Sequence, residues 1–248
     1  MDPRARWRGL LRIALVLLIG VGVLVHVYVQ VPIPPLLIFI VLFGIVVYLL
    51  TREGRGRTVG VVLGGIGALL FVVGNLPIVL EDVSHPDSFL AFVASGAGIV
   101  GAVLGFVAML GALLHWPSTP VRPILGLGAV AVVAVIGVGL VATLGVDSDE
   151  RREGDVVLVA EDVDFFVEGD DPDREADAEV TVERGQAVVI DNEDLYRHTF
   201  TIEALDLDQE IQAGVTRRVV IDAEPGRYEF ICDVEGHEED MKGTLTVR

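Results

Sequence analysis

From Ile13 to Leu50 the chain runs 38 residues without an Asp, Glu, Lys or Arg. A helix of a water-soluble domain keeps a polar face, so a helix that is apolar all round for about 20 residues belongs in a bilayer core. Pro32, Pro34 and Pro35 divide this run into spans at about 10–30 and 33–50, because proline lacks the N–H that a helix needs and crowds the preceding turn. Further uncharged runs predict spans at about 58–80, 88–115 and 123–146. The expectation for residues 1–146 is an all-α transmembrane bundle of about five helices. Small residues such as Gly96, Ala97, Gly98 and Gly101 suit close helix packing within it.

The charge is divided between two regions. Residues 1–146 hold eight Arg and five acids, net +3, whereas residues 147–248 hold ten basic residues and 31 acids, net −21. This is the pattern of a membrane domain joined to a solvated one. Arg4, Arg6, Arg8 and Arg12, the link with Arg52, Arg55 and Arg57, and Arg122 fall on one side of the membrane. Retention of positive charge on the inside makes that side cytoplasmic. The link from Glu81 to Asp87 has no Lys or Arg and falls on the other side. An odd number of crossings then puts the C-terminal domain outside the cytoplasm of a multi-pass cell-membrane protein. The first span is too long, and lacks the small-residue cleavage site, for a removable signal peptide.

Beyond Arg12, at the edge of the first span, no Asp, Glu, Lys or Arg falls inside a span, which argues against a proton relay or an ion path. The spans offer few metal donors, namely Met109, His26 and His115. On this topology His26 is near the outer end of the first span and His115 at the inner end of the fourth, too far apart to share a haem. Pairing of His26 with His85 is weighed against a partner on a neighbouring helix, which is the commoner fate of an intramembrane histidine. An anchor in membrane lipid and a docking platform is the preferred role of this half.

Residues 147–154 read as a charged linker, and 155–248 as an all-β domain. Val156–Ala160 and Phe165–Val167 suggest a first strand pair or one bent strand. The stretch from Glu168 to Glu179 reads as a solvated acidic loop, since it lacks the ordered oxygen ligands and turn Gly of a calcium loop. The segments that follow alternate with period two and are punctuated by Arg184-Gly185, Asp191-Asn192, Ala213-Gly214 and Pro225-Gly226. Short strands with regular turn signals predict a Greek-key β-sandwich.

Near the C-terminus, Cys232, His237 and Met241 are spaced Cys-x4-His-x3-Met, with His198 upstream. Two imidazoles, a thiolate and a weak axial thioether form the trigonal copper set that handles single electrons. Zinc is the rival metal, but it prefers a closed tetrahedron of strong donors, in which a thioether is a poor fourth. Strand phase tests the grouping, because side chains two apart share a face. Tyr228, Phe230 and Cys232 are in phase; so are His198, Phe200 and Ile202, and so are Met241, Leu245 and Val247. Three strand ends therefore aim Cys, His and Met at one interior, with His237 in the loop between two of them, beside Gly236. Singly, a buried Cys or Met is more often core filler than a ligand; the spacing and phase together favour the metal.

Residues 155–248 resemble the blue-copper (cupredoxin) family of plastocyanin, azurin and halocyanin relatives, here fused to a multi-span membrane anchor. The matching landmarks are Val180 to Gly185, Ile190-Asp191-Asn192, His198-Thr199-Phe200, Pro225 to Phe230, and the loop from Cys232 to Gly243. The gaps in the ligand loop are closer to azurin, the surrounding residues to the halocyanin type. The resemblance implies one type 1 copper ion held by His198, Cys232, His237 and Met241, with His237 near the surface as the electron's way out. It also implies redox protein partners; no catalysis is expected, because a single four-ligand site leaves no open position for substrate and no second metal is visible. A lone Cys excludes a dinuclear centre with two bridging cysteines, and ligation explains an unpaired thiol outside the cell. Two alternatives remain open: a copper-binding or sensing module without fast electron transfer, and a metal-free structural domain for protein contacts.

Lys242 is the only lysine, the other 17 basic residues being Arg, and acids cover the domain generally. No basic patch suggests nucleic acid. Dense carboxylates keep a surface hydrated where molar salt shortens screening to about 3 Å, so a halophilic source is expected.

Overall fold

The computed structural model describes residues 3–29, 33–170, 177–194, 196–234, 236–237 and 239–248. Pro32 of the expected turn and residues 171–176 of the acidic loop lie outside the described residues. The chain divides into two compact units, Met1–Val141 and Ala142–Arg248.

The first unit is helical: α1 (Pro3–Val29), α2 (Pro34–Leu49), α3 (Arg55–Val73), α4 (Leu76–Ser84), α5 (Phe89–Leu113) and α6 (Val121–Leu144). Among the described residues, α1, α3, α5 and α6 are long and apolar enough to cross a membrane. The expected all-α bundle of about five helices is present, and it differs from the expected bounds in two places. The 16-residue α2 is about 24 Å long at 1.5 Å per residue, short of a hydrocarbon core of about 30 Å. The span expected at 58–80 ends at Val73, and α4 follows as a separate short helix. Hydropathy runs smoothly through Gly74-Asn75-Leu76-Pro77, but the backbone breaks there. The Asn75 amide donates to the Phe71 carbonyl at 2.7 Å, and Pro77 starts the new helix where a missing N–H costs nothing.

Glycines let α5 lie close to its neighbours. A Cβ on Gly101 would meet Leu18 at 2.8 Å, one on Gly111 the Trp7 ring at 2.4 Å, and one on Gly105 the Ala68 methyl at 2.9 Å. Trp7 Nε1 donates to the Trp116 carbonyl at 3.1 Å, and the Arg12 guanidinium to the Leu50 carbonyl at 2.5 Å. His26 uses both ring nitrogens on backbone: Nδ1–H donates to the Gly22 carbonyl (3.1 Å) and Nε2 accepts from the Ile33 N–H (3.3 Å). His85 Nδ1 lies 2.9 Å from its own helix's Glu81 carbonyl. Each imidazole thus serves its local chain.

The second unit is a two-sheet sandwich of β1 (Val156–Glu161), β2 (Asp164–Val167), β3 (Ala178–Val182), β4 (Ala187–Asn192), β5 (His198–Ile202), β6 (Leu207–Ile211), β7 (Thr216–Val220), β8 (Gly226–Ile231) and β9 (Lys242–Val247). One sheet has the order β2-β1-β4-β7, the other β3-β9-β8-β5-β6. The first expected strand pair is a true hairpin, with Ala160 opposite Phe165. Leu158, Val188 and Ile190 of the first sheet and Val180, Phe200, Phe230 and Leu245 of the second share one apolar core. Residues 147–149, expected as linker, run alongside β7. The Asp149 N–H donates to the Thr216 carbonyl at 2.9 Å, the Thr216 N–H to Ser148 Oγ at 3.2 Å, and the Arg218 N–H to the Asp149 carboxylate at 2.9 Å.

Candidate metal centre

His198 opens β5 and pairs with Ile211 of β6. It shares the inward phase of Phe200 and Ile202, and all three side chains are fully buried. Cys232 follows the last residue of β8, in phase with Phe230, and is also fully buried. The loop after it folds back on itself. The His237 N–H donates to the Val234 carbonyl (2.9 Å), the Met241 N–H to the His237 carbonyl (2.8 Å), and the Cys232 N–H to the Met241 carbonyl (2.9 Å). Gly236, with φ +92°, supplies the left-handed residue this tight path needs.

These elements bring three donor atoms together. Cys232 Sγ is 3.7 Å from His198 Nδ1 and 3.7 Å from His237 Nδ1, and the two Nδ1 atoms are 3.3 Å apart. A trigonal first-row metal with bonds of about 2.0 Å to nitrogen and about 2.3 Å to sulfur needs separations of about 3.7 Å for N···S and about 3.5 Å for N···N. The triangle fits such an ion. Among the described residues it is the cluster of His, Cys and acidic donors that fits a metal. Met241 is fully buried in the same apolar cluster as Cys232, and its backbone is bonded to both loop ligands.

His198 and Cys232 are inaccessible, whereas His237 is partly exposed. The Tyr196 ring stands edge-on to both imidazoles, with centroids 5.3 Å from His198 and 5.7 Å from His237. Phe165 closes the inner side, 6.5 Å from His198.

The partners of the donors were not legible in the sequence. His198 Nε2–H donates to the Asp194 carboxylate at 2.8 Å, which leaves Nδ1 directed at the triangle. Asp194 itself is buried and accepts the N–H groups of Asp162 (3.0 Å) and Val163 (3.3 Å). Asn192, the last residue of β4, accepts the Asp194 N–H (2.9 Å) and donates to the Tyr196 carbonyl (2.9 Å). The Thr199 N–H points at Cys232 Sγ (3.4 Å), and Thr199 Oγ1 accepts the Asp233 N–H (2.7 Å). Asp194 stands four residues before His198 but is one of 31 acids in its half of the chain. Nothing local singles it out.

The charges follow from these bonds. Burial pushes the Cys232 thiol up, but hydrogen bonds from His198, His237 and the backbone outweigh it and bring the pKa down to about 6. Burial opposes protonation of His198, yet the bonds to Asp194 and Cys232 hold its pKa above the usual imidazole value. Burial raises Asp194, but the His198 bond and the two backbone N–H groups keep it below the usual carboxylate range. Tyr196, desolvated and beside Asp194, is pushed up to about 12. A ready thiolate and two imidazoles suit a soft-to-borderline metal.

Residues 174–247 match the family model of the cupredoxin-like domain. No curated protein matches the chain. Among solved structures, a reduced tryptophan-to-tyrosine mutant of amicyanin is 20% identical, covering 40% of this chain and 87% of its own, with a TM-score of 0.31. The Cu(I) form of a methionine-to-alanine mutant of amicyanin is 19% identical, covering 42% and 90%, with a TM-score of 0.32. The C-terminal unit thus contains a cupredoxin-like domain, and His198, Cys232 and His237 form its candidate type 1 copper site.

Proposed function

We propose that this chain is a membrane-anchored carrier of single electrons. Residues 155–248 form its copper-binding domain, and residues 1–146 moor it in the lipid. The observation that supports this most is the triangle of Cys232 Sγ and two Nδ1 atoms, with sides of 3.3 to 3.7 Å, inside a cupredoxin-like domain. Met241 would be the fourth, weak donor.

Bound type 1 copper supplies a one-electron couple, Cu(II)/Cu(I). The chain's residues do the rest. Cys232 offers a thiolate at neutral pH, His198 is locked by its outer nitrogen, and the buried aromatic and apolar shell excludes water. Fixed donors in a dry site need little reorganisation when charge changes by one. Partly exposed His237 is the electron's route to a redox protein partner. Four protein donors would leave no open position on the ion for substrate, so the reading assigns carriage rather than catalysis. The arginines of the N-terminal half support a cytoplasmic N-terminus and a domain on the extracytoplasmic face.

The test is an absorption spectrum of the full chain in detergent and high salt, loaded with Cu(II), beside Cys232→Ser. The expected result is an intense visible thiolate-to-copper band, absent in the variant, with reversible one-electron titration. No band, with copper absent by elemental analysis, overturns the reading in favour of a metal-free interaction domain. A band with slow self-exchange favours a copper-sensing module.

A further inference from the structure

His198 is held from behind by a carboxylate that is itself held by a strained turn. Asp162 and Val163 connect β1 to β2 with φ of +53° and +62°. A β-branched residue there is a backbone outlier, which persists only when its surroundings over-determine it. What fixes it is the Asp194 carboxylate, which accepts both turn N–H groups and the His198 Nε2–H, at 3.0, 3.3 and 2.8 Å. Asn192 in turn fixes the Asp194 backbone at 2.9 Å. The clamp is buried, so bulk salt screens it poorly.

We infer that Asp194 is a positioning residue of the metal centre: it selects the His198 tautomer with Nδ1 free for the metal, ties that ring to the β1–β2 turn, and favours the higher metal charge. The potential arm rests on the copper reading; the tautomer arm does not. A buried negative charge one imidazole away from an ion stabilises Cu(II) over Cu(I), which lowers the reduction potential. Carboxylates behind metal-bound histidines characteristically contribute about 10- to 100-fold to affinity.

Two variants of the full chain test it. Asp194→Asn keeps an acceptor oxygen for His198 and removes the charge; Asp194→Ala removes both. In Asp194→Asn the visible band is expected to survive while the couple shifts about tenfold toward Cu(I), which is about 59 mV upward. Exposed Glu193→Gln serves as the charge control and is expected to leave the potential in place in high salt. In the metal-free chain, histidine-selective NMR is expected to show a hydrogen-bonded Nε2–H on His198 that Asp194→Ala loses. An unchanged potential in Asp194→Asn, or an equal shift in Glu193→Gln, overturns the tuning role. A His198 Nε2–H signal that survives in Asp194→Ala overturns the positioning role. If the wild type shows no copper band, the copper reading fails by itself, and the NMR result still decides whether Asp194 positions His198.

Discussion

Gly243 is the residue on which the fit of the metal loop's exit strand most depends. It lies in β9 between Ala178 of β3 and Phe230 of β8. A Cβ there would sit 2.3 Å from Phe230 Cζ, 2.8 Å from Phe230 Cε1 and 2.4 Å from the Ala178 carbonyl oxygen. Relief to ordinary contact requires movement of about 1 Å on two sides. Neither neighbour yields easily. The Phe230 ring is fully buried and packs 5.0 Å from Phe200 and 5.7 Å from Phe165, and the oxygen belongs to the parallel β3–β9 ladder. Overpacking a core costs about 1–3 kcal/mol, and a clash with backbone places Gly243→Ala at about 3 kcal/mol. That is a large share of a typical domain stability of about 5–15 kcal/mol. Hydrogen exchange of the β3 and β9 amides in the metal-free full chain, measured against denaturant in high salt, reads the effect without relying on copper. Gly236→Ala is the comparison, because a Cβ there meets no atom within 4 Å and only the positive φ is strained; its cost is about 1–2 kcal/mol. Equal protection of Gly243→Ala and wild type in β3 and β9 would refute the packing argument.

Two further outcomes follow from the charges. The folded pKa of Cys232 is about 6 against an ordinary value of 9.0, so its ionisation contributes stability that is complete above about pH 9, declines as the pH falls, and is gone below about pH 6. The stability gap between metal-free wild type and Cys232→Ser is therefore expected to widen from pH 6 to pH 9 in denaturant titrations, and a constant gap refutes the thiolate assignment. The −21 net charge of residues 147–248 repels itself once salt is removed, because the screening length grows from about 3 Å at 1 M to about 30 Å at 0.01 M. Desalting is expected to loosen the β-unit, seen as lost amide protection; an unchanged exchange pattern speaks against a halophilic design.

Local periodicity made much of this legible. The period-two phase of Tyr228, Phe230 and Cys232, and of His198, Phe200 and Ile202, is a property of consecutive residues, and burial follows it, with Tyr228 half-buried and the other five fully buried. Charge-free length marked the helical half in the same way. What escaped was non-local or too fine for hydropathy. The break at Gly74-Asn75 lies inside an apolar run, so a window average passes over it. Asp162 and Asp194 are 32 residues apart, and only the pairing of β1 with β4 brings their loops together. Residues 147–149 look like any charged connector, because Ser148 and Asp149 are short polar residues whose bonds to the β7 backbone leave no periodic mark on the sequence.

The two halves of the donor set reach each other by different means. Cys232 and His237 belong, with the proposed donor Met241, to one loop between adjacent antiparallel strands, so β8–β9 pairing brings them together. His198 comes from β5, whose register with β8 is fixed at Thr201 opposite Ile231. So short a pairing leaves the Cys232 to His198 distance under-determined by the sheet. Thr199 supplies the missing constraint, with its N–H on Cys232 Sγ and its hydroxyl accepting the Asp233 N–H. The Thr201 hydroxyl lies 3.0 Å from that oxygen and donates to the Asp208 carboxylate at 2.8 Å, extending the stitch to the domain surface. The Cys232 to His198 side of the candidate donor triangle is thus set by bonds to Thr199 as well as by the sheet.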